Sequence, residues 1–172
     1  MDNKTLCQYY LSELNAESIA TRKCLERIPE STYDFKPHPK SMGMGVLTLL
    51  VAEIPKWIAS TIEDSVIDLA TYDHFQLSNT AGLLQHFEDS LQAAGNALKN
   101  ITDEQLSKPF ELKNGGQLLF SSPKLESIGS TLNHWVHHRG QLTVYMRLND
   151  IAVPSLYGPS ADDKSFAAPQ QA

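Results

Sequence analysis

The chain contains 172 residues, of which 41% are hydrophobic and 20% are charged. This size and composition predict one globular domain, residues 1–172, with a hydrophobic core of its own. The formal net charge of −6 at pH 7 argues against nucleic-acid binding, and no apolar run reaches the ~18 residues expected of a membrane span. We therefore expect a cytoplasmic protein, and the widely separated Cys7 and Cys24 suit a reducing compartment.

The N-terminal half of the chain predicts two helices, over residues 3–28 and 45–69. In the first, apolar residues recur at steps of three and four, and no Gly or Pro interrupts them. In the second, Leu47 and Leu50 belong to one apolar face. Pro55 should end or kink this helix, because it lacks a donor N–H and crowds the carbonyl four residues earlier.

The second half predicts two further helices and a hairpin between them. Residues 79–100 form the third helix, which Asn79 or Thr80 can cap. In residues 108–123 the segments FEL and QLLF flank an Asn-Gly-Gly turn, which is the composition of a small β-hairpin. Residues 123–149 form the fourth helix.

Four amphipathic helices predict an all-α fold, a four-helix bundle with a small β-hairpin between helices 3 and 4. The tail, residues 150–172, is rich in turn-forming residues. Within it, residues 160–163 predict a short turn of helix with a serine cap, and the last residues are expected to be disordered.

The fourth predicted helix carries a dense group of candidate functional residues. At about 100° per residue, His134 and His138 lie on one face, whereas His137 points elsewhere. Two histidines at this spacing can ligate one metal ion, or they can be hydrogen-bonded histidines at the rim of the core. Arg139 falls inside the apolar arc and needs an acceptor. That acceptor is an anionic substrate, a structural carboxylate or the carbonyls of a helix end.

The end of the fourth predicted helix and the segment after it read HWVHHRGQLTVYMRLNDIAVPSLYGPSADD. This stretch resembles the C-terminal signature of the DinB-like family of small bacterial proteins. The superfamily also includes the YfiT-like metal-dependent hydrolases and the thiol-dependent S-transferases. The segment FKPHPKSMGMGVLTLLVAEIPKW resembles the family's linker and second-helix opening. The resemblance covers nearly the whole chain and implies an up-down-down-up bundle and a homodimer.

The resemblance also implies a divalent metal, zinc or nickel, held by three histidines. Two of them correspond to His134 and His138 on the last helix. The third belongs on the second helix, where this chain has Leu50, which cannot ligate a metal. Glu53, about 60° round the same helix, or His86 on the third helix would replace it. Otherwise the site is degenerate and the metal is absent.

Three functional hypotheses follow. The protein is a metal-dependent transferase or hydrolase that acts on a small molecule with a low-molecular-weight thiol, since a bound metal lowers the pKa of water or thiol. In that case Arg139 or His137 contacts an anionic group, and Tyr145 is a further candidate substrate-binding residue. Alternatively, the protein is a non-catalytic relative, a stress-response or small-molecule-binding dimer, which Leu50 favours. In the third hypothesis the histidines serve stability alone, bonded to Tyr145 or to backbone carbonyls.

Overall fold

The computed structural model describes residues 2–164, and the expectation of disorder at the end of the tail lies outside them. Within this range the chain is mostly helical, with one small sheet. The helices are α1 (Asn3–Leu25), α2 (Met44–Glu63), α3 (Thr80–Asn100), α4 (Asp103–Ser107) and α5 (Lys124–Leu148), and the strands are β1 (Val66–Asp68), β2 (Pro109–Asn114) and β3 (Gln117–Pro123). A single 3-10 turn, Glu30–Thr32, interrupts the linker between α1 and α2.

The most buried helix is α2, which packs against both α3 and α5. Leu47 and Ile54 are fully enclosed, together with Phe87 from α3 and Trp135 from α5. Burial of a side chain of this size contributes roughly 1.5–3 kcal/mol. By length and composition α2 could cross a membrane, but 67% of its most apolar window is buried inside the protein, which is typical of a core helix.

The predicted second helix is too long at its C-terminal end, because α2 ends at Glu63 rather than at residue 69. Ser65 adopts a left-handed conformation with φ of 64°. The N–H groups of Asp64 and Ser65 both donate to the carbonyl of Ser60, which satisfies the last turn of the helix. The chain then leaves the helix in an extended conformation and forms β1.

The predicted hairpin is confirmed as β2 and β3, and it is part of a mixed three-stranded sheet in the order β1-β2-β3. Strand β1 pairs with β2 in parallel, with Ile67 opposite Leu112. The carboxylate of Asp68 accepts hydrogen bonds from the N–H groups of Gly115 and Gly116, at 2.8 and 2.7 Å. Strand β1 therefore holds the hairpin turn in place.

Pro55 does not end α2, because another element compensates for its missing N–H. A proline leaves the carbonyl four residues earlier without its helical donor, and here that carbonyl belongs to Val51. The indole Nε1–H of Trp135 on α5 donates to it at 2.8 Å. This buried hydrogen bond links α2 to α5 at the point where the helix ladder is interrupted.

The other helix ends agree with the sequence to within a few residues. Helix α3 is capped by Asn79, whose side chain accepts from the N–H of Gly82 at 2.7 Å. The short helix α4 was not predicted, although Thr102 and Gln105 form a reciprocal capping box at its start. In the tail, Ser160 caps a turn without forming helix, since its Oγ accepts from the N–H groups of residues 162 and 163.

Both cysteines are buried and free. Burial raises the pKa of the Cys24 thiol to about 11, and it also raises the pKa of the Cys7 thiol. Both thiols therefore remain protonated at neutral pH and act as small apolar side chains of the core.

Candidate functional site

The helical wheel correctly predicts the histidine pair on α5. His134 and His138 are both half-buried, and their Nε2 atoms lie 2.7 Å apart. His137 is exposed, and its ring lies beside the His138 ring with 5.2 Å between the centroids. The pair therefore presents two imidazole nitrogens at one point, and His137 lies on the solvent side.

A neighbouring side chain fixes the protonation pattern of the pair. His138 Nδ1 lies 2.8 Å from Oε1 of Gln141, and since an amide oxygen only accepts, Nδ1 carries the proton and donates. The Nε2 atom of His138 is then an acceptor, and it receives the Nε2–H of His134. Burial and the nearby histidines lower the pKa of His134, and burial is also the main cause of the lowered pKa of His138. The two rings are therefore neutral at pH 7.

Glu53 faces a different group of residues from the histidine pair. Its side chain is 1% exposed, and its carboxylate accepts from His74 Nδ1 at 2.9 Å and from the N–H of Phe75 at 2.7 Å. His86 Nε2 lies 3.3 Å from the same carboxylate but outside hydrogen-bonding geometry. Burial is the main cause of the lowered pKa of His86. Glu53 thus anchors the loop before α3 onto α2.

Residues 2–164 do not complete the three-ligand metal centre that the resemblance implies. A catalytic zinc or nickel site usually takes three protein ligands, and His134 and His138 supply two. Leu50 is half-buried and, with Glu53 and His74, lines a separate cleft of about 200 Å³. Across residues 2–164, no group of three or more His, Cys, Asp or Glu side chains has an arrangement that could hold a metal ion.

Arg139 has protein partners on the side of the molecule formed by α1 and the tail. Its side chain is 2% exposed and forms an ion pair with Glu17. It also donates to Thr21 Oγ1 at 3.2 Å and to the hydroxyl of Tyr157 at 2.5 Å. Of the acceptors considered from sequence, a structural carboxylate is present in Glu17, and Arg139 also donates to the backbone carbonyl of Glu17 at 3.0 Å. The substrate-binding role of Arg139 stays a prediction, and nothing in this geometry favours it.

Tyr145 lies beside the linker that precedes α2. Its hydroxyl donates to the carbonyl of Met42 at 3.3 Å, and its ring packs edge-on against Phe35 with 6.0 Å between the centroids. Tyr145 therefore holds the linker against α5 and does not satisfy the histidine pair. Its role in substrate binding likewise stays a prediction.

A cavity of about 410 Å³ lies next to His134. Its walls come from α2, α5 and all three strands, and they are Trp57, Thr61, Ile67, Phe110, Leu112, Phe120, Ser122, Glu126, Ser127, Ser130, Thr131 and His134. Trp57 packs against His134 with 5.7 Å between the ring centroids. Its indole Nε1–H is buried near the Tyr72 hydroxyl but makes no hydrogen bond of good geometry among the described residues.

Sequence reasoning missed this cavity because its walls come from segments far apart in the chain. The Asn-Gly-Gly turn identified the hairpin that contains β3, and helical spacing identified the face of α5. Neither pattern indicates that Phe120 and Thr131 enclose the same space. The short strand that contributes Ile67 had no signal of its own, because three residues are too few for a period to be recognised.

A mostly helical fold with a small mixed sheet is the architecture of DinB-like proteins. The profile of the DinB family matches residues 1–171, and the chain belongs to that family. It is 32% identical over 89 residues to the uncharacterized protein YrdA of Bacillus subtilis (strain 168). That match spans 46% of this chain and 47% of YrdA, about half of the relative's length.

Two solved structures have the same fold. A DinB-like protein from Bacillus subtilis, YjoA, superimposes with a TM-score of 0.65 at 19% identity, over 83% of this chain and 92% of the other. A DinB-like protein from Bacillus cereus ATCC 10987 superimposes with a TM-score of 0.63 at 21% identity, over 86% and 95% of the two chains. At these identities the likeness describes the fold alone.

Proposed function

We propose that this DinB-family protein binds a small, largely apolar molecule in the cavity between α2, α5 and the sheet. The cavity carries the proposal: its volume of about 410 Å³ is within the range of small-molecule sites, ~300–1,000 Å³. Five of its twelve wall residues are aromatic or aliphatic, five are serine or threonine, and the other two are Glu126 and His134. Apolar side chains combined with polar groups are typical of ligand pockets.

The neutral probe N-phenyl-1-naphthylamine, whose fluorescence rises in apolar surroundings, tests this proposal. We expect saturable binding to the wild type and a loss of at least tenfold in affinity for Ser130→Phe, because the added ring occupies the cavity. Ser130 is an exposed wall residue on α5, so the variant should fold, and circular dichroism checks this. Ser12→Phe, at an exposed position of α1, is the matched control. Equal binding by both variants would contradict the proposal.

A second candidate is the metal-dependent transferase or hydrolase that acts with a low-molecular-weight thiol. The convergence of the His134 and His138 Nε2 atoms favours it, since Gln141 leaves His138 Nε2 unprotonated and His134 Nε2 can ligate once its proton moves to Nδ1. Zinc or nickel bound there would supply Lewis-acid chemistry, with the remaining ligands coming from outside the chain. Elemental analysis of untagged protein purified without added metal is the test. Stoichiometric metal in the wild type and none in His138→Ala would support this candidate, and its absence from both would reject it.

The proposal includes the remaining expectations of the family resemblance. The four long helices form an up-down-down-up bundle, which the packing of α2 against α3 and α5, and of α1 against the same two helices, supports. The protein is a cytoplasmic homodimer. Light scattering after size-exclusion chromatography measures the oligomeric state directly. A monomer at micromolar concentration would contradict the proposed homodimer.

A further inference from the structure

The charge of the cavity walls restricts what the cavity can bind. Among the described residues that line it, no Lys or Arg is present, and Glu126 is the one carboxylate. An anionic ligand would lose its hydration there and gain no cationic partner, which is costly. The whole chain adds to this bias with its formal net charge of −6. A neutral or cationic ligand therefore suits the cavity better than an anionic one.

Glu126 occupies the first turn of α5, where an acidic side chain also stabilises the helix dipole. That role alone does not require the carboxylate to border a cavity. The Glu126 side chain is exposed at the edge of the cavity. It makes no hydrogen bond or ion pair with any other residue between 2 and 164. Its oxygens are therefore free to accept from a ligand whose apolar part lies inside.

Aromatic rings occupy the walls inside this edge. Phe110 and Phe120 meet edge-on with 6.1 Å between their centroids, and Trp57 lies on the α2 side. Ring faces attract organic cations that lie within about 6 Å of the ring centroid. Phe110 is 5% exposed, whereas Phe120 is 49% exposed, so the aromatic surface extends from the interior of the cavity to its opening.

We propose that the cavity is a site for hydrophobic amines, in which the aromatic walls hold the apolar body and Glu126 pairs with the ammonium group. This inference rests on the proposed function and makes it specific, because it names the chemical class of the ligand. The hydroxyls of Ser130 and Thr131, on the same helix as Glu126, can accept the remaining N–H groups of a primary amine.

Three probes with one phenyl body and different charges test the inference: 2-phenylethylammonium, 2-phenylethanol and 3-phenylpropanoate. Their binding is followed by NMR titration of the two tryptophan indole N–H signals, since the chain has two tryptophans. The chemical shift of the Trp57 indole N–H should change on binding, because this indole borders the cavity and makes no well-formed hydrogen bond. The chemical shift of the Trp135 indole N–H should not change, because this group is bonded to the carbonyl of Val51.

We expect the ammonium to bind about fivefold more tightly than the alcohol, because a partly exposed ion pair with Glu126 contributes up to about 1 kcal/mol. The carboxylate should bind most weakly of the three. Glu126→Gln should reduce the affinity for the ammonium to that of the alcohol and leave the alcohol unchanged. Glu26→Gln makes the same change in net charge at an exposed residue at the end of α1. It should leave the affinities for the ammonium and for the alcohol unchanged.

The outcomes separate this inference from the function on which it rests. If the alcohol binds and the ammonium has no advantage, or if Glu126→Gln does not remove that advantage, the amine site is wrong and a neutral-ligand cavity remains. If Glu26→Gln weakens the ammonium as much as Glu126→Gln, long-range charge and not Glu126 selects the ligand. If none of the three probes, nor N-phenyl-1-naphthylamine, moves the Trp57 signal, the proposed function itself fails.

Discussion

The family resemblance implies a third metal-binding histidine at the position of Leu50, beside His134 and His138. The Leu50 side chain is half-buried and lines a cleft with Leu49 and Glu53. An apolar side chain supplies no electron pair. A weak two-histidine site is the most that His134 and His138 can provide by themselves.

The resemblance predicts that a histidine at position 50 supplies the third ligand, whereas the structure places Leu50 in a cleft separate from the cavity beside His134, and the substitution decides between the two. We expect Leu50→His to raise the affinity for zinc or nickel by at least tenfold, equivalent to ~1.4 kcal/mol, measured by competition with a chromophoric chelator. Leu49→His adds an imidazole to the same cleft at the neighbouring position and should give a much smaller gain. Equal gains, or no gain from Leu50→His, would mean that the family alignment does not describe the geometry of this chain.

Arg139 is a buried charged residue whose contacts within the protein explain its burial. Its guanidinium reaches Glu17 and Tyr157 and is 2% exposed. Arg139→Met should lower the free energy of unfolding by about 3–5 kcal/mol, because it leaves the largely buried Glu17 carboxylate without its cationic partner. Chemical denaturation measures this change.

The exposed pair between Arg22 and Glu88 provides the matched control for Arg139. Both side chains are more than 40% exposed, at 42% and 41%. Arg22→Met should therefore cost about 0–1 kcal/mol. Similar costs at the two arginines would show that burial does not determine the strength of the Arg139 contacts.

At the scale of elements, local sequence patterns predict the long helices well and their termini less well. The 3.6-residue period is repeated over α1, α3 and α5, and the residues that carry it are consecutive in the chain. Strand β1 has three residues, and its partners at 111–113 in β2 are more than forty positions away. The histidine pair was predictable because its spacing is local. The cavity was not, since it depends on how α2, α5 and the sheet come together.

The hydrogen bond from Trp135 to the carbonyl of Val51 connects two elements at the site of Pro55. Trp135→Phe should destabilise the protein, because it leaves this buried carbonyl unpaired. In a Pro55→Ala background the backbone N–H of residue 55 can bond the same carbonyl. We therefore expect the cost of Trp135→Phe to be smaller there by about 1 kcal/mol.

A double-mutant cycle from urea denaturation measures this coupling. Trp57→Phe, measured in the same two backgrounds, is the control, because it is Trp135 and not Trp57 that bonds the Val51 carbonyl, so the cost of Trp57→Phe should not depend on Pro55. If the effects of Trp135→Phe and Pro55→Ala are simply additive, the two residues do not compensate for one another.

At the scale of the whole molecule, the tail joins the two helices that begin and end the helical core. Arg147 at the end of α5 forms a bidentate ion pair with Asp162, and Arg27, just after α1, contacts Asp163. Tyr157 bonds to both Arg139 and Glu17. The YGPSADD stretch that carries the family resemblance is thus explained by structure, because its tyrosine, serine and aspartates fix the tail across α1 and α5.

Asp162 makes this attachment sensitive to acid. Its pKa is lowered below the ordinary 3.8, first by the hydrogen bond from Arg147 and then by that from the Val153 N–H. A carboxylate with a lowered pKa contributes stability above the unfolded value, and that stability is lost as pH falls through the folded value. The tail should therefore remain ordered at pH 6 and loosen below about pH 3.8.

Amide ¹⁵N relaxation of Val153 and Leu156 measures the order of the tail. We expect Asp162→Ala to loosen it at pH 6 as acid does in the wild type, because both changes remove the acceptor of the Arg147 and Val153 donors. Asp73→Ala, at an exposed position in the loop before α3, should leave the relaxation unchanged. A tail that stays rigid in Asp162→Ala would place its attachment at Tyr157, whose bonds to Glu17 and Arg139 do not involve Asp162.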